Sequence, residues 1–240
     1  MSLQKEPTFT PAPSGVRLAL SLAVLVLLGL NLRPLLTSIG PLTGELRDIT
    51  GLSFSEVSLL TTIPILMIGA MALFAGRVTT ALGYRHGIGL GLLILTAGLI
   101  ARLFEPTSTS MMTSAIVGGV GISLLHIVIP ELTKQQYLKR LGLVTGLWSA
   151  ALMGGAALGA VATPWAAGLL PERYQAMGSW SLLAALVFVI WYLPVNRTPV
   201  ASVPPRHLLL RAYKTPRAWI LGAYFALVNA GYAGFIAWIA

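Results

Sequence analysis

Seven long apolar runs divide this chain, at approximately residues 18–42, 55–75, 86–104, 109–131, 142–168, 178–194 and 218–240. Each is about 17 residues or longer, the length at which a helix can cross a bilayer. So many runs of that length cannot share one soluble core. With 56% hydrophobic and only 10% charged residues, against about 25% charged in a soluble domain, the chain is predicted to be an all-α integral membrane protein. It contains no cysteine, which excludes disulfides and thiolate metal sites.

The loops between the runs set the orientation. One set carries Lys5 and Arg17, then Arg77 and Arg85, then Lys134, Lys139 and Arg140, then Arg197, Arg206, Arg211, Lys214 and Arg217. The alternate set carries Arg47, Arg102 and Arg173 against Glu45, Asp48, Glu56, Glu105 and Glu172. The positive-inside rule makes the first set cytoplasmic and places the N-terminus inside. The formal charge of +9 therefore reads as topology rather than nucleic-acid binding. Residues 1–17 read as a disordered cytoplasmic tail. The first run exceeds a signal-peptide core of about 7–15 residues and is read as a retained helix.

Residues 195–217 hold Pro199, Pro204, Pro205 and Pro216 among five basic residues. This stretch is predicted to be a cytoplasmic linker on the membrane surface. Before it stands a bundle of six helices, 18–194; after it comes one helix, 218–240. The expected architecture is a six-helix N-terminal bundle plus the first helix of a truncated second bundle, about seven transmembrane helices in all.

Inside the first run lie Asn31, Arg33, Pro34 and Pro41. An arginine near mid-membrane costs at least about 2.5–3.5 kcal/mol on insertion scales. Pro34 removes its amide bond to the Leu30 carbonyl and kinks the helix. Two costly features side by side predict a site, with Arg33 facing a polar cavity and holding an anion through its forked, permanently charged donors. The alternative is an arginine snorkelling to the interface, but the run's outer end is roughly 14 Å away along the helix, a long reach. Thr37, one turn on, shares that face. Asn31 points nearly opposite, where a hydrogen bond to a neighbouring helix competes with a substrate contact. The fourth run carries His126, with Pro130 four residues on. Proline-interrupted helices at corresponding positions of two half-repeats point to a transporter's central site.

The segments Asn31-Leu32-Arg33-Pro34-Leu35-Leu36-Thr37-Ser38-Ile39-Gly40-Pro41-Leu42, Gly146 to Gly155 running on to Thr163-Pro164-Trp165, and Thr215 to Trp219 leading to Tyr224-Phe225 and Asn229 to Tyr232 carry a family resemblance. The sequence resembles the major facilitator superfamily, and within it the cyanate permease branch, which includes a nitroimidazole exporter. The resemblance covers nearly the whole chain and implies about twelve helices in the complete family member, so a C-terminal six-helix half would be missing here. It also implies a conformational-gating loop between the second and third helices, carried by Gly76, Gly83 and Arg85; the acidic position of that family loop is Thr80. The arginine that many proton-linked members place on the fourth helix has Ser114 at about its position.

The remaining candidates weigh similarly. His126 is placed to contact solute or carry a proton, or to bond a backbone carbonyl as a structural residue. Trp148 is placed to line the cavity, while Gly154, Gly155 and Gly159 permit close helix packing. Asn229 and Tyr232 share a face of the seventh run as substrate contacts or interhelical hydrogen bonds. No mid-membrane carboxylate is visible for a proton relay. Metalloprotease and serine-hydrolase motifs are absent, and the seventh run has no lysine for a retinal Schiff base. The predicted function is therefore not enzymatic. It is alternating-access transport of a small solute across the cell's inner membrane, with no cofactor, and the expected solute is a small anion such as cyanate. The alternatives are a nitroimidazole-type exporter, or a fragment that needs a separate C-terminal half.

Overall fold

The computed structural model describes residues 15–72, 74–193, 215–217, 219–220, 223–224 and 227. The chain forms two compact units, Met1–Ala201 and Ser202–Ala240. In the second, positions 216–217, 219–220, 223–224 and 227 are helical. The predicted linker and seventh helix lie mostly outside the described residues, and Asn229 and Tyr232 lie entirely outside them.

In the first unit eight α-helices follow in order: α1 Val16–Leu32, α2 Pro34–Thr37, α3 Thr43–Thr50, α4 Phe54–Ala72, α5 Ala75–Ile100, α6 Ser108–Gln136, α7 Leu141–Ala167 and α8 Gln175–Tyr192. Among the described residues six helical stretches are long and apolar enough to cross a membrane, with α1 to α3 together making the first, Val16–Thr50. We call them the first to sixth spans.

Local chemistry sets the turns. Gly51, at φ 72°, ends α3 in the left-handed conformation, and its N–H donates to the Arg47 carbonyl. Two residues later Ser53 and Glu56 form a reciprocal capping box. The Ser53 N–H donates to the Glu56 carboxylate at 2.8 Å, and the Glu56 N–H to the Ser53 hydroxyl at 3.3 Å. Those two exposed bonds hold the Thr50 to Phe54 corner and start α4. At α6 Thr107 and Ser110 do the same. An exposed ion pair, Arg173 to Glu45 at 2.7 Å, joins the turn before α8 to α3; such a pair contributes about 0.2–1 kcal/mol.

The loop expected between the second and third runs is itself helical. α5 begins at Ala75 and bends at Gly83, whose φ of 65° and ψ of 174° belong to a region that only glycine occupies readily. Arg85 follows the bend. Its Nη2 donates to the Tyr192 carbonyl at 3.3 Å, and the Trp191 indole N–H donates to the Arg85 carbonyl at 2.9 Å. The bend is thereby fastened to the last turn of α8. A Cβ at Gly83 would meet nothing within 4 Å, so Gly83→Ala tests the backbone alone. It should cost about 1–3 kcal/mol, read as a lowered thermal midpoint of the purified chain.

Small residues bring the spans together. A Cβ at Gly98 would stand 2.6 Å from the Gly118 nitrogen, and one at Gly121 would stand 2.7 Å from the Gly91 carbonyl oxygen. α5 and α6 therefore cross backbone to backbone. α1 and α2 lie on α7 by the same device, at Gly29 against Ala151 and Trp148, at Gly155 against the Leu30 carbonyl, and at Gly159 against Pro34 and Thr37. Gly154, Gly155 and Gly159 of the fifth run thus act in close packing.

Candidate solute site at the break in the first span

The first span breaks where Pro34 removes an amide. α1 ends at Leu32, Arg33 stands between the helices, and α2 restarts at Pro34. Without the Pro34 N–H the Leu30 carbonyl loses its ordinary partner. It lies instead against Gly155 of α7, where a Cβ would collide with it. The proline and the glycine, far apart in sequence, form one structural device.

The break divides its polar side chains between two directions. Asn31 is buried between the buried Leu28 and Leu35, with neither amide atom hydrogen-bonded. It stands on the inner face of the bundle rather than with Arg33. Arg33 is half-buried, its Nε has no hydrogen-bond partner, and no acidic side chain pairs with it among the described residues. Thr37 donates its hydroxyl to the Arg33 carbonyl at 3.2 Å and faces Gly159. Trp148 is buried against Gly29.

His126 arrives from the other side. α6 presents Gly119 to Pro64 and Met67 of α4, and His126, two turns later, lies on that same side. Its Nδ1 is 3.1 Å from the Ile122 carbonyl, a contact that requires the hydrogen on Nδ1 and leaves Nε2 for another partner. Nε2 accepts a hydrogen bond from a neutral imidazole's neighbour and donates one when the ring is protonated. Of the sequence candidates, Thr37 bonds the Arg33 carbonyl and Trp148 packs on Gly29, while Asn31 is buried without a hydrogen bond.

Two polar groups escaped the sequence reading. Arg102, assigned there to a loop, is fully buried in the 3-10 turn Ala101–Leu103 at the end of the third span. Its Nη1 donates to the Leu35 carbonyl and its Nε to the Ser114 hydroxyl, both at 2.8 Å, and Ser114 donates to the Gly98 carbonyl at 2.8 Å. The tight turn folds the side chain back between the first and fourth spans, where two oxygen acceptors offset part of the loss of solvent. Ser114 was the available signal. Ser114 stands at about the position where the family resemblance implies an arginine in many proton-linked members, and here an arginine from another span bonds it. The second group is Glu131, which lies inside α6 rather than beyond it. Gln135 links it to Tyr84, next to the Gly83 bend, donating to Glu131 at 3.3 Å and to the Tyr84 hydroxyl. Immediately after α6, the Tyr137 hydroxyl donates to Ser21 of α1 at 2.8 Å; burial pushes this phenol up from its ordinary range, against that bond. No group of three or more histidine, cysteine or acidic residues placed to hold a metal occurs among the described residues.

A model described as Major Facilitator Superfamily matches residues 19–240. The chain belongs to the Major Facilitator Superfamily. As a member with six apolar spans among its described residues, it is a multi-pass membrane protein. It is 42% identical over 218 residues to the cyanate transport protein CynX of Escherichia coli, covering 91% of this chain and 57% of that protein. It is 25% identical over 241 residues to the 2-nitroimidazole transporter of the same organism, covering 97% of this chain and 59% of that protein. The chain spans about half the length of the curated relatives it matches. Among solved structures, a peptide transporter POT crystallised with sulfate superimposes with a TM-score of 0.64 at 15% identity, over 95% of this chain and 47% of that one. That likeness concerns the superfamily fold alone.

Proposed function

We propose that this chain provides the N-terminal bundle of a secondary carrier for a small anion, with cyanate the first candidate. The carrier works by alternating access in the inner membrane, with the N-terminus cytoplasmic. One observation carries the reading: the break in the first span leaves the half-buried Arg33 with its Nε unbonded and without an acidic partner among the described residues. An unpaired guanidinium attracts an anion, and its forked donors suit a small one. The 42% identity to a cyanate transport protein supports the choice of probe. Alternating access asks for a second bundle that closes over this face, and the second and fifth spans, only 17% and 28% buried, leave apolar surface for it. Asn229 and Tyr232 belong to the proposal as contacts on sequence grounds. The bend at Gly83, with Gly76 before it and Arg85 fastened to α8, is the proposed gating element. No chemical step on the solute is part of this reading.

The experiment is uptake into vesicles by this chain co-produced with the C-terminal half of the Escherichia coli cyanate transport protein. Radiolabelled cyanate should accumulate above the level given by either half alone. Movement of 2-nitroimidazole without cyanate would replace the anion reading by that of an exporter. Movement of neither, with both halves present in the membrane, would contradict a small-anion carrier.

A further inference from the structure

We infer that Arg102 is a positioning residue for the broken first span, holding in place the segment that carries Arg33. Three observations meet at this side chain. First, the helical ladder of α2 ends where the Ser38 N–H donates to the Pro34 carbonyl. The next carbonyl, that of Leu35, accepts from Arg102 at 2.8 Å. The arginine therefore serves an acceptor that a continuous helix would pair with its own amide. Second, the same guanidinium bonds Ser114, which in turn bonds the Gly98 carbonyl. Those contacts fall where α5 and α6 approach closely and where a Cβ on Gly118 would meet the Leu35 side chain at 2.6 Å. The arginine thus ties the broken backbone of the first span to a backbone-to-backbone crossing of α5 and α6. Third, Arg102 is completely buried and no carboxylate pairs with it among the described residues. An apolar side chain would fill such a place without the desolvation cost of a charge. What it could not do is donate to Leu35 and Ser114 at once.

With Arg102 removed, the Leu35 carbonyl loses its donor and the Ile39 amide is the one a continuing helix would supply. α2 would wind further, and the segment that carries Arg33 would rotate. The inference about the backbone stands on these contacts alone. Its consequence for solute rests on the reading of Arg33 as the anion contact.

The absence of cysteine allows two labels to be placed cleanly. Spin labels on Leu20→Cys and Asp48→Cys, both exposed, bracket the break in this chain held in lipid nanodiscs. Their distance, read by pulsed electron paramagnetic resonance without solute, should shift or broaden in Arg102→Met. It should stay unchanged in Arg33→Gln, which keeps the backbone contacts. Should Arg102→Met fail to fold, Arg102→Lys serves, since one ammonium cannot reproduce the guanidinium's divergent pair of bonds. The same substitution in the two-half carrier should raise the KM for cyanate about tenfold with a smaller change in kcat. An unchanged distance overturns the inference, and a changed distance with an unchanged KM overturns its consequence for solute. Because the distance is measured without solute, it can fail while the anion reading stands, and it can hold while that reading fails.

Discussion

Arg33→Gln is expected to lower cyanate uptake by the two-half carrier about a hundredfold or more, with the protein still present in the membrane. Glutamine keeps hydrogen-bonding capacity and most of the length but not the charge. Truncating one member of a desolvated charge pair costs about 2–5 kcal/mol, and each 1.4 kcal/mol is about tenfold in affinity. Arg33→Lys should fall between, since it keeps the charge and loses the fork. The structure gives the substitution little other work to do. Arg33 lies between α1 and α2, and only its backbone carbonyl is engaged, by Thr37. The thermal midpoint should therefore hardly change, which separates this result from simple misfolding. Uptake equal to wild type in Arg33→Gln would make the residue structural and move the site toward His126.

Gly98→Ala should be as damaging to stability as Arg33→Gln is to transport. The added methyl would stand 2.6 Å from the Gly118 nitrogen and 2.7 Å from its Cα. Both are backbone atoms and cannot swing aside. α5 and α6 would have to separate at this close crossing, with losses along the Leu95, Gly121 and Leu125 contact. Overpacking of this kind costs about 1–3 kcal/mol, which lowers the midpoint by roughly 5–10 °C in a unit of this size. Tryptophan fluorescence during heating measures it. Gly142→Ala is the control: a Cβ there meets nothing within 4 Å, and alanine is the better helix former, so its midpoint should stay or rise slightly. The Gly98 change should also disturb Arg102, since Ser114 donates to the Gly98 carbonyl.

The spans were legible in the sequence because length and apolarity alone define them. The breaks were legible where proline declares them, as at Pro34. Which way each polar neighbour turns was not legible. Asn31 and Thr37 are separated from Arg33 by an ordinary helical rotation, yet the break displaces that rotation. Thr37 ends against Gly159 and Asn31 in the core. For His126 the structural alternative is visible, one ring nitrogen meeting the Ile122 carbonyl, and its role toward solute stays a proposal. Arg102 was hidden for a different reason. Charge counting assigns a residue at the end of an apolar run to the loop, and only the 3-10 turn at Ala101–Leu103 sends it back inside. The loop between the second and third runs reads as polar in sequence, but its helical backbone and bend hang on Gly83 and on contacts with Trp191 and Tyr192 more than 100 residues away.

The central claim is that an anion sits on Arg33 at the break. The infrared spectrum of cyanate bound to the two-half carrier tests it most directly, because the anion's own stretch reports its hydrogen-bond donors. The account expects a bound band distinct from free cyanate, lost in Arg33→Gln, displaced in Arg33→Lys and shifted by substitution of His126 with glutamine. A bound band that is identical in wild type and Arg33→Gln would place the anion elsewhere and contradict the account.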